Sequence, residues 1–326
     1  MSEASAGLAL GRIGLGGANL GNIFQAMSDE TAWAILEAAW DSGIRYFDTA
    51  PHYGLGLAER RLGEFLRTKP RGEFVVSTKA GRLLRPSPET SDRFDDEGQF
   101  VVPADVKRVW DFSADGVRRS LEESLERLGL DSVDVLFLHD PDEVDAEQGP
   151  AQPIATGVPA VVGLREEGLV RAVGIGSKST DVLLAGIRTG PLDLLMVAGR
   201  YTLLEQPAAE ELIPECREQG VDIVVAGAFN SGLLSTSEPG AGARYEYGAA
   251  PDEVIARARR LAGICAEHGV ELPVAALQFP LREQVVRAVV LGAVEPGHVI
   301  ENVRRISQPV PDELWRDLEA EGLVPA

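Results

Sequence analysis

Gly43-Ile44-Arg45-Tyr46-Phe47-Asp48-Thr49-Ala50-Pro51-His52-Tyr53-Gly54 is the stretch on which the rest of the sequence turns. Residues 44–47 read as a buried strand that leaves directly into a carboxylate. Pro51 and Gly54 then bend the chain, so that Asp48 and Tyr53 share a loop at the strand's C-terminal end. A lone acid at a strand exit can simply cap a turn. Here the pattern repeats: the apolar run 74–78 leads into Lys79, and 133–138 leads into His139. Three successive strands with a chemically able side chain at the same end match an α/β barrel, whose chemistry sits at the C-terminal face.

Working outward, residues 12–16 form a strand ending in Gly16 and Gly17, with Asn19 just beyond, where absent side chains leave backbone open to a ligand. Helical periodicity covers 27–42, with Ser28 as a cap, then 57–66, and 113–129 between Ser113 and the stop at Gly129. Further along, strands at 170–175, 193–197, 221–226 and 286–291 alternate with helices at 158–167, 180–187, 207–219, 252–268 and 292–305. A shorter helical run covers 274–280, and an extra C-terminal helix covers 311–319. Residues 81–111 break the rhythm with Pro86, Pro88 and Pro103 and read as a long loop, a lid on the substrate side. A second long loop, 227–250, is rich in glycine and serine and holds two tyrosines.

Eight apolar strands, each followed by a helix, give the fold class α/β: a (β/α)8 TIM barrel with long loops at its C-terminal face. No linker-like break divides the chain, so 1–326 reads as a single domain. A doubly wound sheet would need Gly-x-Gly-x-x-Gly opening a helix. Gly14, Gly16, Gly17 and Gly21 have the wrong spacing, and Gly174-Ile175-Gly176 lacks the third glycine.

Composition narrows the function classes. A formal charge of −20 argues against a nucleic-acid partner. No apolar run approaches membrane-spanning length. The start, Met-Ser-Glu-Ala-Ser-Ala, has no basic segment before an apolar one, so the chain is expected in the cytoplasm rather than exported. Cys216 and Cys265 fall in helices and are expected reduced. His52, His139, His268 and His298 show no metal-ligand spacing, so no metal is expected. Nothing in the pattern marks an exposed apolar stripe, leaving a monomer or small homo-oligomer.

Asp48, Tyr53, Lys79 and His139 at one barrel mouth suggest a specific chemistry. A phenol is a poor base at neutrality. A nearby ammonium favours its ionised form, and an aspartate paired with that ammonium fixes its position. The histidine orients a substrate oxygen or shares its proton. Such a group removes a hydroxyl proton as hydride leaves the same carbon, or runs the reverse reaction. Lys79 carries weight because only four of the 31 basic residues are lysines.

Phe47-Asp48-Thr49-Ala50-Pro51-His52-Tyr53-Gly54, Glu59-Arg60-Arg61-Leu62-Gly63, Ser77-Thr78-Lys79 and Leu138-His139 together resemble the aldo-keto reductase family, over nearly the whole chain. The resemblance implies a metal-free barrel that uses a nicotinamide cofactor, with Asp48, Tyr53, Lys79 and His139 as its catalytic tetrad. Trp110-Asp111-Phe112-Ser113 and Ala198-Gly199-Arg200-Tyr201-Thr202-Leu203-Leu204 resemble the branch of D-threo-aldose (L-fucose) 1-dehydrogenases, L-galactose dehydrogenase and pyridoxal 4-dehydrogenase. That branch implies an NAD-dependent aldose 1-dehydrogenase acting on a sugar. Pyridoxal oxidation or general aldehyde and ketone reduction are the alternatives. Tyr53, His139 and Trp110 are the expected substrate contacts. Cofactor contacts implied by the resemblance are Gly16, Gly17, Asp48, Ser177, Ala226, Phe229, Gly232, Leu233, Gly292, Glu295, His298, Glu301 and Asn302. The family's usual amide-holding glutamine falls at Ala198 and its stacking tyrosine near Ala226, which leaves Phe229 or Tyr201 as an aromatic surface. Glu295 opposes a 2′-phosphate and suits a ribose hydroxyl, so NAD is expected over NADP.

Overall fold

The computed structural model describes residues 7–96, 98–144, 149–240, 242–246 and 248–325. The first six residues, read above for the lack of an export segment, and Tyr247, one of the two loop tyrosines, lie outside these. Eight parallel strands form the wall: β1 (Ile13–Gly16), β2 (Tyr46–Asp48), β3 (Val75–Ala80), β4 (Val135–His139), β5 (Ala172–Ser177), β6 (Leu194–Ala198), β7 (Asp222–Ala226) and β8 (Val286–Leu291). They follow in order around the barrel, and β1 pairs with both β2 and β8 to close it. Outside run α1 (Asp29–Asp41), α2 (Leu57–Leu66), α3 (Ala114–Leu128), α4 (Ala151–Glu166), α5 (Thr180–Thr189), α6 (Leu212–Gln219), α7 (Asp252–Glu267), α8 (Leu272–Gln278), α9 (Pro296–Ile306) and the extra terminal α10 (Asp312–Ala320). Among the described residues no helix is long and apolar enough to cross a membrane.

Strand parity divides the core into two shells. Val135 and Phe137 of β4 pack in the barrel interior with Tyr46, Val75, Leu194, Met196, Val224 and Ala288, whereas Leu136 and Leu138 lie under the helices. Leu8 and Leu10 belong to the interior cluster and plug the entry end. Asp134, Asp193 and Asp222 stand at strand entries, each buried and paired with an arginine: Arg71, Arg165 and Arg287. Asp134 and Asp193 also accept backbone N–H groups from Val76 and Val173 of the neighbouring strands. Acids at that end therefore stitch strands together, in keeping with a structural role for the N-terminal face.

Serine caps open three helices as their side chains permit. Ser28, Ser113 and Ser179 accept from the backbone N–H of Thr31, Gly116 and Val182. α4 starts seven residues before the expected 158. Pro153 lies in its first turn, where a missing N–H costs nothing. Pro159 interrupts the solvent side, where water can reach the carbonyl it frees. The expected helix 207–219 divides into a 3-10 turn, Pro207–Ala209, and α6.

The larger departure concerns residues 81–111. Rather than an aperiodic loop, Arg82–Pro86 and Val106–Trp110 form an antiparallel hairpin, with Arg82 opposite Trp110. A smaller pair, Phe94–Asp95 with Phe100–Pro103, lies inside it. Arg108 and Asp95, both nearly inaccessible, tie the two pairs together by a bidentate ion pair at 2.8 and 2.5 Å. Arg85 anchors the hairpin to Glu123 of α3 at 2.8 Å.

Barrel closure leaves little slack at Gly174 of β5. An added Cβ would stand 1.9 Å from the Leu194 carbonyl oxygen and 3.0 Å from the Phe137 ring. Gly174→Ala is expected to destabilise the fold by about 1–3 kcal/mol or more by overpacking. Gly163→Ala on α4, where an added Cβ meets nothing within 4 Å, should be neutral or gain about 0.5–1 kcal/mol. Urea unfolding of both variants checks the contrast, and equal effects would contradict it.

Candidate active site

Parity also aims the polar side chains. Asp48 continues the inward row of Tyr46, Lys79 that of Val75 and Ser77, and His139 that of Val135 and Phe137. In register, Asp48 sits beside Ser77 and Lys79 beside Phe137, so the three ends climb as a staircase around the mouth. Lys79 Nζ donates to Asp48 Oδ2 at 2.6 Å and to the Thr49 carbonyl at 3.0 Å. Ser77 Oγ donates to Asp48 Oδ1 at 2.7 Å and meets the Tyr46 hydroxyl at 3.1 Å from below. Both charges are almost fully buried, at 2% and 3% exposure. A buried pair costs desolvation, and the extra hydrogen bonds offset part of it. Burial opposes the charge on Lys79, yet Asp48 and Tyr53 outweigh it and hold the ammonium above its ordinary value.

Tyr53 arrives on the turn after β2, where its N–H bonds to the Ala50 carbonyl at 3.1 Å. That turn packs face to face on the 3-10 turn after β1. A Cβ on Gly54 would stand 2.3 Å from the Gly21 oxygen, and one on Gly21 would stand 2.6 Å from the Tyr53 carbonyl carbon. Gly54, at φ +62°, is thus required both by conformation and by close approach. Lys79 Nζ lies 4.8 Å from the Tyr53 ring centroid, and the His139 ring stands edge-on at 5.7 Å. Burial pushes the Tyr53 phenol up to about 12, while the charge and hydrogen bonding of Lys79 pull it down. The lysine acts in the expected direction. The expected net acidification does not follow, because desolvation is the larger effect.

His139 is held neutral: burial, then Arg82 and Lys79, push its imidazole well below the usual range. Its Nε2 lies 3.3 Å from Asp140 Oδ2, and its Nδ1 is buried without a partner. Asp140, in the left-handed region at φ +43°, receives Arg82 Nη2 at 2.6 Å, and Arg82 also reaches Glu143 at 2.7 Å. Arg82 stacks 4.4 Å above the Trp110 ring, which lies parallel to Phe112 at 5.9 Å. Sequence reasoning missed Arg82, Arg108, Asp95 and Asp140 as site residues. The basic residues set among apolar ones in Arg82-Leu83-Leu84-Arg85 and Val106-Lys107-Arg108-Val109 were the available signal, obscured by the prolines between.

Apart from Asp48 on β2, the candidate cofactor residues occupy the rest of the rim, along β5, β7, β8 and β1, continuing from the strands β2 to β4 that carry Asp48, Lys79 and His139. Gly16 and Gly17 have a packing reason. Added Cβ atoms would come 3.1 Å from Val290 and 2.9 Å from the Asp48 carbonyl oxygen. Ser177 Oγ donates to Asp142 at 2.8 Å and accepts from Ser179 N–H at 2.8 Å, joining the β4 and β5 loops. Ala226 ends β7 half-buried, followed by half-buried Phe229, exposed Gly232 at φ +90° and buried Leu233, whose side chain belongs to the core. Gly292 lies against Asn19, with 2.0 Å from its ideal Cβ to Asn19 Oδ1. Glu295 and His298 flank the exposed start of α9, 3.4 Å apart. Glu301 pairs with Arg304 at 2.5 Å and Arg305 at 3.2 Å, whereas Asn302 is buried beneath the Gly292 bend.

Of the six buried side-chain atoms without a hydrogen-bond partner among the described residues, four belong to the C-terminal face: Thr49 Oγ1, Arg82 Nε, His139 Nδ1 and Asn230 Oδ1. Buried polar atoms are normally satisfied, so this concentration fits a face that receives a polar ligand. The donors and acceptors are suited to the amide, ribose and phosphate groups of a dinucleotide beside a hydroxylated substrate.

Known proteins resemble the chain along nearly its whole length. The chain is 54% identical to a D-threo-aldose 1-dehydrogenase of Pseudomonas sp., over 99% of this chain and 98% of that one. It is 38% identical to a pyridoxal 4-dehydrogenase of Microbacterium luteolum, over 98% and 96%. An aldo-keto reductase structure from Bacillus halodurans, in its holo form, superposes with a TM-score of 0.72 at 25% identity and covers 97% of this chain and 92% of that one. The sequence profile of the aldo/keto reductase family matches residues 12–321. With a closed eight-strand barrel, polar side chains gathered at its C-terminal rim and that match along its length, the chain belongs to the aldo/keto reductase family, the NAD(P)-dependent oxidoreductases.

Proposed function

We propose that the protein is an NAD-dependent aldose 1-dehydrogenase that oxidises the anomeric carbon of a sugar to the lactone. The observation that carries the reading is the buried Asp48–Lys79 pair set against the Tyr53 ring and the neutral His139 imidazole, in a chain 54% identical to a D-threo-aldose 1-dehydrogenase. The nicotinamide, when bound, supplies the hydride acceptor and a positive charge. Tyr53 accepts the C1 hydroxyl proton, Lys79 stabilises the phenolate that this requires, and Asp48 holds Lys79 in place. His139, kept uncharged, orients the C1 oxygen without competing for its proton. The anomeric carbon loses hydride, its hydroxyl oxygen loses the proton to Tyr53, and the C–O single bond becomes the lactone carbonyl.

Gly16, Gly17 and the turn around Gly232 would hold the cofactor by backbone, with Asn302 and the start of α9 on its adenosine side. NAD preference rests on the exposed carboxylate of Glu295 and the half-buried one of Glu301 there, and on Arg304 and Arg305 being engaged by Glu301 and Glu271. Both buried cysteines have thiols pushed up to about 12 by burial, in keeping with unreactive thiols in a reducing cytoplasm. A pyridoxal reading draws support from the 38% identical relative.

Spectrophotometric turnover with L-fucose, D-arabinose, L-galactose and pyridoxal, each with NAD and NADP, tests these readings. An aldose with NAD is expected to give kcat/KM at least about tenfold above pyridoxal, as expected when a site built for hydroxyls discriminates by hydrogen bonding. Turnover of pyridoxal alone, or a clear NADP preference, would overturn the corresponding part.

A further inference from the structure

His52 lies inside the catalytic loop, beside Tyr53, and the tetrad chemistry gives it no role. Its Nδ1 accepts from two arginines, Arg108 Nε at 2.5 Å and Arg82 Nη1 at 3.2 Å, one from each strand of the outer hairpin. Arg108 Nη2 also donates to the His52 carbonyl at 3.1 Å, and Asp95 holds Arg108 from behind. The Phe100 ring stands edge-on to the imidazole at 5.3 Å. Three consequences follow. An Nδ1 that accepts from guanidinium groups carries no proton, so the single imidazole proton sits on Nε2. Burial and the two cations also disfavour the imidazolium, so the ring stays neutral. Finally, Nε2 has no hydrogen bond among the described residues, and the ring lies half-buried 5.5 Å from His139 and 6.0 Å from Tyr53.

We propose that His52 is a substrate-binding residue of fixed tautomer, its Nε2–H donating to the hydroxyl on the carbon next to the one that loses hydride. This rests on the aldose reading above. Tyr53 and His139 meet the reacting oxygen, and His52 flanks both, so a vicinal oxygen is the substrate atom within its reach. The two arginines polarise the imidazole from behind, which strengthens the Nε2–H as a donor without giving it a charge. An aldose offers a C2 hydroxyl there. A 2-deoxy aldose does not.

The test compares His52→Asn with His52→Gln on an aldose and its 2-deoxy analogue, with saturating NAD. Asparagine keeps an acceptor near the arginines and loses the donor at the Nε2 position, whereas glutamine places an amide N–H there. His52→Asn is expected to raise KM for the aldose about tenfold with kcat changed less than threefold, and to leave the 2-deoxy sugar unaffected. His52→Gln should recover part of the loss. Nitrogen-15 NMR of the unliganded wild type should show His52 as the Nε2–H tautomer, untitrated from pH 5 to pH 9. An active wild type with an unchanged His52→Asn, an equal loss on both sugars, or an Nδ1–H tautomer would overturn this proposal alone. A wild type that oxidises no aldose would overturn the function reading and this proposal with it.

Discussion

Tyr53→Phe is expected to lower kcat for aldose oxidation by about 10³-fold, within the range that general acid–base catalysis contributes, while the Kd for NADH changes less than about twofold. The phenol hydroxyl is the only part removed. Its ring continues to fill the space between Lys79, Phe100 and His139. Because burial pushes the phenol up to about 12, the phenolate is scarce in the unliganded protein at neutral pH. Oxidation by the wild type should therefore speed up as pH rises from 7 to 10, and carbonyl reduction, which needs the protonated phenol, should not. The variant should lose the rising limb. Full turnover in Tyr53→Phe, with NADH binding followed by fluorescence, would remove Tyr53 from its proposed role.

Lys79→Met should cost about 3–5 kcal/mol of stability, in addition to nearly all activity, because it leaves the Asp48 carboxylate buried without its counter-charge. Only the Ser77 hydroxyl would then remain as a side-chain partner to Asp48. Asp48→Asn combined with Lys79→Met removes both charges and should recover much of the lost stability but none of the turnover. That separation distinguishes charge burial from catalysis. The sign with pH follows from the lysine. Its ammonium is held above the ordinary 10.5, so the pair's stabilisation is complete below about that pH and is lost as pH rises past it. Thermal unfolding of the three proteins at pH 7 and near pH 11 checks this. A double variant no more stable than Lys79→Met would show that the carboxylate was not the cause.

The barrel and the polar residues gathered at its C-terminal rim were legible in the sequence because they depend on local information. Short, mostly apolar runs leading into Asp48, Lys79 and His139 announce their strands, and parity alone then turns those ends inward. Ser28 and Ser113 likewise announce their helices through hydrogen bonds made within three residues. Other features depended on groups far apart in the chain. Nothing near Tyr53 encodes the burial that makes its phenol less acidic, because Phe100 and the neighbouring loops supply it. Nothing beside Ser177 in the chain announces its tie to Asp142, which comes from another loop. The hairpin of 82–110 was hidden because its pairing spans some twenty residues and its strongest tie, Arg108 to Asp95, joins two different strand pairs. The tautomer of His52 is the clearest case. Its identity is local, but which nitrogen bears the proton is set by Arg82 and Arg108, which only the folded chain brings to it. Short-range periodicity determined where the strands run and which polar side chains stand at their C-terminal ends. Long-range contact decided the charge, tautomer and availability of the groups found there, since desolvation and hydrogen bonding depend on neighbours in space.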